Sequence, residues 1–143
     1  MNKILKIGEI NVRKSTTYEI KSNKHRFMFG MDYAGYRVET EKGNIDILIE
    51  DESQCCEEWG YMTSDDNLDY FVGAELKDVS IVSDGDKKIL SELENKYEFH
   101  AEFVEFKTDK GIFQIAVYNA HNGYYSHKVV ISFYDKDVLL TNV

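Results

Sequence analysis

Two short alternating segments, residues 36–40 and 45–49, constrain the fold of this chain more than any other feature. Apolar and polar side chains alternate in both, which is the pattern of strands with one buried face. Residues 41–44 between them are Glu-Lys-Gly-Asn, a polar stretch whose glycine suits a tight turn. The pattern therefore predicts an antiparallel hairpin with its isoleucines on one face.

Similar strand-like segments recur along the chain. Strands are predicted at residues 4–12, 16–20, 76–82, 97–107, 111–118, 128–134 and 135–140. A loop is predicted at 21–26, a loop or a short edge piece at 50–59, helical turns at 65–73 and a short helix at 87–96. We expect the segments from 97 to 134 to form a three-strand meander, and Phe113, Ile115 and Val117 to face the core. The predicted fold class is mainly β, a β-rich α+β domain. It is a single antiparallel sheet, a partly open barrel or a sandwich, with one or two short helices.

Length and hydropathy bound the class of protein. A chain of 143 residues fits one domain, with a basic N-terminal part at 1–34 followed by a β domain at 35–134. No apolar run approaches the roughly 20 residues of a membrane span. Charged residues interrupt the N-terminus, unlike a secretion signal. A cytoplasmic protein, in the cytoplasm of a host cell, is therefore expected.

The charge is strongly polarised. Residues 1–26 hold seven Lys/Arg against two Glu, a net of +5, whereas residues 39–69 hold eleven Asp/Glu against one Lys, a net of −10. The formal net charge of −9 argues against direct nucleic-acid binding, which depends on neutralising phosphates. Such a field can still steer a charged partner towards one pole.

The two cysteines, Cys55 and Cys56, are adjacent. Adjacent cysteines rarely form a disulfide or chelate one zinc together, so two reduced thiols and no metal site are expected. The acidic residues around them oppose a reactive thiolate. Since no nucleophile stands at a recognisable spacing from a base, no catalytic residue and no cofactor are predicted, and a hydrolase remains only as an alternative.

Residues 116–128 are unusually rich in aromatic, amide and imidazole side chains. The pair Asn122-Gly123 is a strong turn signal, so these residues are predicted to form the tip of a hairpin. Tyrosines in strands are commonly half-buried, which is one interpretation. The other is a pocket in which tyrosines stack on a base, amides recognise its edge and a cation meets phosphate. The candidate ligand-binding residues are Tyr118, Asn119, His121, Asn122, Tyr124, Tyr125, Lys128 and Arg26.

The acidic stretch offers a second candidate surface. It lacks the ligand spacing of a calcium loop, so a solvated face is one interpretation and a surface for a basic partner is the other. The candidate partner-binding residues are Glu50, Asp51, Glu52, Glu57 and Glu58.

Four short stretches carry a resemblance to a known group of proteins. They are Cys55-Cys56-Glu57 with Trp59, residues 69–74, residues 106–111, and the Asn-Gly-Tyr-Tyr of residues 122–125. In this order they resemble an uncharacterised domain family found mostly in bacteriophages and prophages of Gram-positive hosts. The resemblance covers about residues 35–134 and leaves residues 1–34 outside. It implies a small phage accessory protein, without assigned activity or catalytic residues.

These observations favour a non-enzymatic phage accessory protein that binds and neutralises a host factor. The specific hypothesis is counter-defence by sequestration of a nucleotide-type immune signal. The alternative is an acidic protein–protein inhibitor, a nucleic-acid mimic or a steric block, of a host defence protein such as a nuclease. Tight ligand binding demands an enclosed pocket, so a homo-oligomer that completes it is also considered.

Overall fold

A computed structural model describes residues 1–13, 31–52, 58–95, 98–120, 126–134 and 136–143. The elements are β1 (Ile4–Val12), β2 (Tyr33–Thr40), β3 (Gly43–Glu50), β4 (Glu58–Thr63), a 3₁₀ turn (Leu68–Phe71), β5 (Leu76–Val82), α1 (Lys87–Glu94), β6 (Phe99–Thr108), β7 (Gly111–Ala120), β8 (Lys128–Phe133) and β9 (Asp137–Asn142). The prediction of a mainly β domain with one or two short helical elements is confirmed.

The strands form two antiparallel sheets. One has five strands in the order β1-β2-β3-β8-β9, and the other has four in the order β4-β7-β6-β5. Neither sheet closes into a barrel in the described part of the chain. The core that joins them draws on both, including Ile47 of β3 and Ile115 of β7, each with 0% of its surface exposed. The fold is therefore an antiparallel sandwich.

The predicted hairpin at residues 36–49 is confirmed, and it is longer than predicted. Strands β2 and β3 pair from Tyr33–Glu50 to Thr40–Gly43, with Val38 opposite Ile45. The prediction for the core face of β7 also holds, because Phe113, Ile115 and Val117 all lie in the central core. Aromatic stacking consolidates this layer, since the ring centroids of Phe106 and Phe113 lie 4.6 Å apart in parallel planes.

The outer face of the four-stranded sheet is covered by α1. The helix begins at the cap Asp86, whose carboxylate accepts a hydrogen bond from the Lys88 amide at 2.9 Å. Ile89 and Leu93, one turn apart, are buried against Phe103 and neighbouring residues of the sheet. Strand β7 is consequently buried on both faces from residue 113 to residue 120.

The predicted three-strand meander is wrong in its last strand. Strands β6 and β7 pair as expected, but β8 lies in the other sheet, where it pairs with β3 and β9. The reason is that both edges of β7 are already occupied, one by β6 and the other by β4. Strands β7 and β8, which end and begin at Ala120 and Lys128, therefore belong to different sheets and do not form the predicted hairpin.

Most of the remaining local predictions agree with the structure, and two lie outside the described residues. Strands β1, β5 and β9, the turn at residues 68–71 and the helix agree with the predicted positions. Within the predicted loop at 50–59, β3 extends to Glu50 and β4 begins at Glu58. The strand predicted at 16–20 and the loop at 21–26 lie outside the described residues. No helix in the described residues is long and apolar enough to cross a membrane.

Candidate functional site

The described parts of the two candidate regions, at Glu50, Glu58, Ala120 and Lys128, lie at the same end of the sandwich. Strand β4 leaves the acidic stretch with Glu58 opposite Ala120, the last residue of β7. Strand β3 ends at Glu50, one step beyond the pair formed by Ile49 and Val129 near the start of β8. The two pairs of strand ends are neighbours in space, because Trp59 of β4 stacks on His127, the residue before β8, with ring centroids 5.1 Å apart.

A cavity of about 230 Å³ opens on the outer face of the five-stranded sheet at this end. We call it the groove. Its lining residues come from β2, β8 and β9, and they are Tyr33, Lys128, Val129, Val130, Leu140, Thr141 and Asn142. Register places Lys128 directly opposite Asn142 and Val130 opposite Leu140. Because directly paired residues point to the same face, a cation and an amide stand side by side beside an apolar pair.

The electrostatics of the groove centre on Lys128 and Glu50. Lys128 is exposed and forms no ion pair within the part of the chain that the structure describes. Glu50 is buried and stands opposite Tyr33 in the β2–β3 register. Burial, and secondarily the charge of Glu50, raises the pKa of the Tyr33 hydroxyl. Tyr33 is therefore neutral at physiological pH, and its hydroxyl lies 3.8 Å from the sulfur of Met31.

Behind the groove, His127 fixes the start of β8. Its Nδ1 lies 2.8 Å from the carbonyl oxygen of Glu50, and since a carbonyl only accepts, Nδ1 carries the proton. The imidazole stacks on Trp59 with ring centroids 5.1 Å apart. His127 also exchanges two backbone hydrogen bonds with Val143. A buried histidine held from three sides positions the adjacent Lys128 and Glu50, and it is not presented to a ligand.

Two of the predicted ligand-binding residues, Tyr118 and Asn119, are buried in the packed interior. Tyr118 packs beneath α1 in the cluster that contains Leu93 and Phe103, and 8% of its surface is exposed. It lies on the outer face of the four-stranded sheet, the side of the molecule opposite the groove. Asn119 is fully buried and donates from Nδ2 to the carbonyl oxygen of Val143 at 3.2 Å. Of the predicted ligand-binding residues that the structure describes, only Lys128 lines the groove.

The acidic candidates do not form one surface. Glu50 is 8% exposed, which contradicts its expected place on a solvated acidic face, because strand pairing with Tyr33 carries it into the sheet. Asp51 is half-buried, and its carboxylate lies 3.2 Å from Arg13. Glu52 and Glu58 are exposed. Only these last two fit the expected partner-binding surface among the described candidates.

The other candidates, Arg26, His121, Asn122, Tyr124, Tyr125 and Glu57, lie outside the described residues, as do Cys55 and Cys56. Within the described ranges, no three His, Cys, Asp or Glu residues are placed so as to hold a metal ion.

Sequence reasoning missed Tyr33, Leu140 and Asn142 as groove residues. The alternation of residues 36–40 extends back to Tyr33 on the opposite face, and it is the signal that places this tyrosine away from the central core. Asn142 could be found only by pairing β9 with Lys128, and that register depends on the sheet assignment of β8.

The fold and the groove together define a β-sandwich domain with a small cleft on one sheet. The sequence matches the model of a domain of unknown function, DUF7448, over residues 3–131, and the chain belongs to that family. The expectation of an uncharacterised domain family is confirmed at this level. The matched range includes the basic N-terminal part that the resemblance left outside. No curated protein and no solved structure matched the chain.

Proposed function

We propose that this protein is a non-enzymatic phage accessory protein that acts in the host cytoplasm and neutralises a host factor. In the specific form of the proposal, it sequesters a nucleotide-type immune signal in the groove, as a counter-defence protein. The observation that carries the proposal is the cross-strand pair of Lys128 and Asn142 at the rim of an apolar cleft.

Each groove residue has a role that suits such a ligand. The Lys128 ammonium, without an ion pair among the described residues, is available to a phosphate. The Asn142 amide carries both donors and an acceptor for the polar edge of a base. Leu140, 47% exposed, offers apolar surface to a ring. Ligand pockets usually pair a mostly apolar lining with a few polar groups of this kind.

The volume of the groove limits the size of the ligand. About 230 Å³ is below the 300–1,000 Å³ of typical ligand pockets, so a base and sugar with one phosphate fill it. Nanomolar sequestration requires about 12 kcal/mol, whereas one charge-assisted hydrogen bond contributes about 1.5–3 kcal/mol. Most of the affinity must therefore come from enclosure of the ring, and contacts outside the groove are needed to supply it.

The test is a thermal-shift panel of nucleotides, cyclic nucleotides and ADP-ribose derivatives, followed by calorimetry on any hit. A ligand at a hundredfold excess over Kd should stabilise the fold by about 2.7 kcal/mol. Lys128→Ala should weaken binding about 10- to 100-fold, from the loss of one charge-assisted contact. Lys107→Ala, an exposed lysine on β6 in the other sheet, is the matched control and should bind normally. A flat panel, or equal behaviour of the two variants, would refute the groove as the site.

Tyr124 and Tyr125, which the sequence pattern marks as ligand-binding candidates, give a separate test. Tyr124→Ala combined with Tyr125→Ala should abolish binding and leave the unfolding midpoint nearly unchanged if these rings contact the ligand. A large fall in the midpoint would instead assign them to the packed interior.

The second candidate is the acidic protein–protein inhibitor, and the exposure of Glu52 and Glu58 favours it. In this hypothesis the two carboxylates meet a basic surface of a host protein such as a nuclease. Glu52→Gln combined with Glu58→Gln should then weaken capture of that protein, and added salt should do the same. Indifference to both changes would exclude this surface.

A further inference from the structure

Among the described edge strands, β9 has neither a register shift nor a charge after its first residue, and most of its residues are exposed. It pairs with β8 on one side, over six consecutive pairs without a register shift. Its sequence after Asp137 is Val-Leu-Leu-Thr-Asn, which contains neither charge nor proline. Leu139 and Leu140 are 37% and 47% exposed. Such an edge offers a template for another strand.

The other edges differ in ways that oppose pairing. Strand β1 has a register shift between Ile4 and Lys6, and β5 has one between Leu76 and Asp78. Both also carry charged residues on the strand. Strand β4 resembles β9 in having no register shift and no charge after Glu58, but its later residues are all half-buried. It also lies against β2 of the other sheet, where the ring centroids of Tyr61 and Tyr36 are 5.4 Å apart. Bulges and charges are the usual protections of an edge, and β9 has neither after its first residue.

We infer that a second copy of this chain pairs antiparallel along β9 and completes the groove from the other side. A two-fold axis perpendicular to the sheet keeps the same residues on the same face in both copies, so the pairing joins residues of equal parity. Centred on Leu140, it sets Leu140 against Leu140 of the second copy. It also sets Asn142 against Val138 of the second copy. All of these residues lie on the groove face, as the pairing of Leu140 with Val130 and of Val138 with Ser132 requires.

Two features favour a second copy of this chain as the partner: the β9 edge can pair with itself in this register, and the groove is open along that edge. The groove reaches the edge of the sheet at Leu140, Thr141 and Asn142, where β9 has no neighbour among the described strands. A paired copy continues the five-stranded sheet into ten strands and adds apolar surface beside Leu140. The second copy then supplies the enclosure that tight binding of a ligand requires. The inference that the dimer completes the ligand site rests on the proposed function.

The size of the contact predicts a weak dimer. Stable interfaces bury about 1,200–2,000 Å², and a six-residue edge with two leucines supplies less than that. The dimer should therefore dissociate on dilution through the micromolar range. A ligand held by both copies should shift the equilibrium back towards the dimer.

Oxidative cross-linking tests the register directly. Across an antiparallel pair the Cα atoms of opposed residues lie about 4.5–5.5 Å apart, which is within the range that a disulfide spans. In a background with Cys55→Ser and Cys56→Ser, Leu140→Cys should form a covalent dimer on mild oxidation. Leu5→Cys is the control, because Leu5 is 56% exposed on β1 at the opposite edge of the same sheet.

The mass in solution is the second readout. Light scattering should show a concentration-dependent rise from 16.6 kDa towards twice that mass. Leu140→Glu should abolish this rise through like-charge repulsion across the axis, while Leu5→Glu leaves it intact.

A protein that stays at the mass of one chain, or cross-links equally at both positions, overturns the inference. Full-affinity nucleotide binding by the parent protein while it stays at the mass of one chain overturns the shared site but not the proposed function. A β9 dimer without any nucleotide hit supports the interface and refutes the proposed function.

Discussion

Gly35 lies in the middle of β2, where the pairing of β2 with β3 leaves no space for a side chain. A Cβ atom added there overlaps the carbonyl oxygen of Ile47 and lies 2.9 Å from its carbonyl carbon and 3.1 Å from the Cα of Leu48. All three contacts are backbone atoms, so no rotamer change relieves them. Gly35→Ala must therefore push β2 and β3 apart.

The expected loss of stability comes from disturbing the hydrogen-bonded pairing of β2 with β3. Overpacking alone costs about 1–3 kcal/mol, and each backbone hydrogen bond lost from the ladder adds about 1 kcal/mol. We expect Gly35→Ala to lower the free energy of unfolding by at least about 3 kcal/mol, which corresponds to a fall in Tm of roughly 6–12 °C. The groove should suffer as well, because Tyr33 and Glu50 are placed by the same pair of strands.

Gly8 on the neighbouring strand β1 provides the matched control. An added Cβ there meets nothing within 4 Å. Gly8→Ala should therefore be neutral or stabilise by up to about 1 kcal/mol, since it restricts the unfolded chain. Urea unfolding followed by the fluorescence of Trp59, the single tryptophan, measures both variants. A Gly35→Ala protein within about 1 kcal/mol of the parent would refute the close approach of the two strands.

Three further predictions concern the core, the alkaline stability and the support of the groove. Phe113→Ala should cost about 3–5 kcal/mol in urea unfolding, because the buried ring stacks on Phe106 and also contacts Phe71 at a tilt, whereas Ile112→Ala, at an exposed neighbour, should change stability by less than about 0.5 kcal/mol. Burial, aided by the charge and hydrogen bond of Glu9, raises the pKa of Tyr61 to about 12, so its contribution to stability is complete below pH 10 and is lost as the pH rises towards 12. Tyr61→Phe should flatten that alkaline loss in pH-dependent melts, and an unchanged profile would contradict the assignment. Asn119→Ala should destabilise by about 0.5–1.5 kcal/mol, because the Val143 carbonyl loses one of two donors and keeps the His127 amide, while nucleotide affinity changes far less than in Lys128→Ala.

Local patterns predicted the elements of this fold and the hairpin pairs β2–β3 and β6–β7, but not the sheet to which β8 belongs. The hairpin at residues 36–49, β5 and the helix after Asp86 each depend on neighbours within a few residues, so period and capping were sufficient. The sheet assignment of β8 depends on which edges of β7 are free. A partial signal for this exists in the sequence, where residues 115–118 are apolar on both faces of the strand, a pattern typical of a central strand.

The candidate site was predicted in part for the same reason. Lys128 was recognised as a cation beside aromatic and amide residues, which is a property of its own segment. Glu50 was assigned to a solvated face because its sequence neighbours are acidic, yet pairing with Tyr33 buries it. Asn142 and Leu140 carry no signal of their own, because their role comes entirely from the register of β9 with β8.

The meeting of the two candidate regions at one end of the sandwich makes the two proposed functions separable by charge. Neutralising Lys128 removes the groove cation and leaves Glu52 and Glu58 in place, whereas neutralising the two glutamates does the reverse. A nucleotide held at Lys128 should bind more weakly in Lys128→Ala, and it should bind slightly better when the nearby negative charges are removed. A basic protein partner should bind more weakly when the two glutamates are neutralised and slightly better in Lys128→Ala. The direction in which affinity for one ligand changes in the two variants therefore distinguishes the two proposals. A groove that binds an anion is weakened by Lys128→Ala, whereas an acidic surface that binds a basic protein is weakened by loss of the two glutamates.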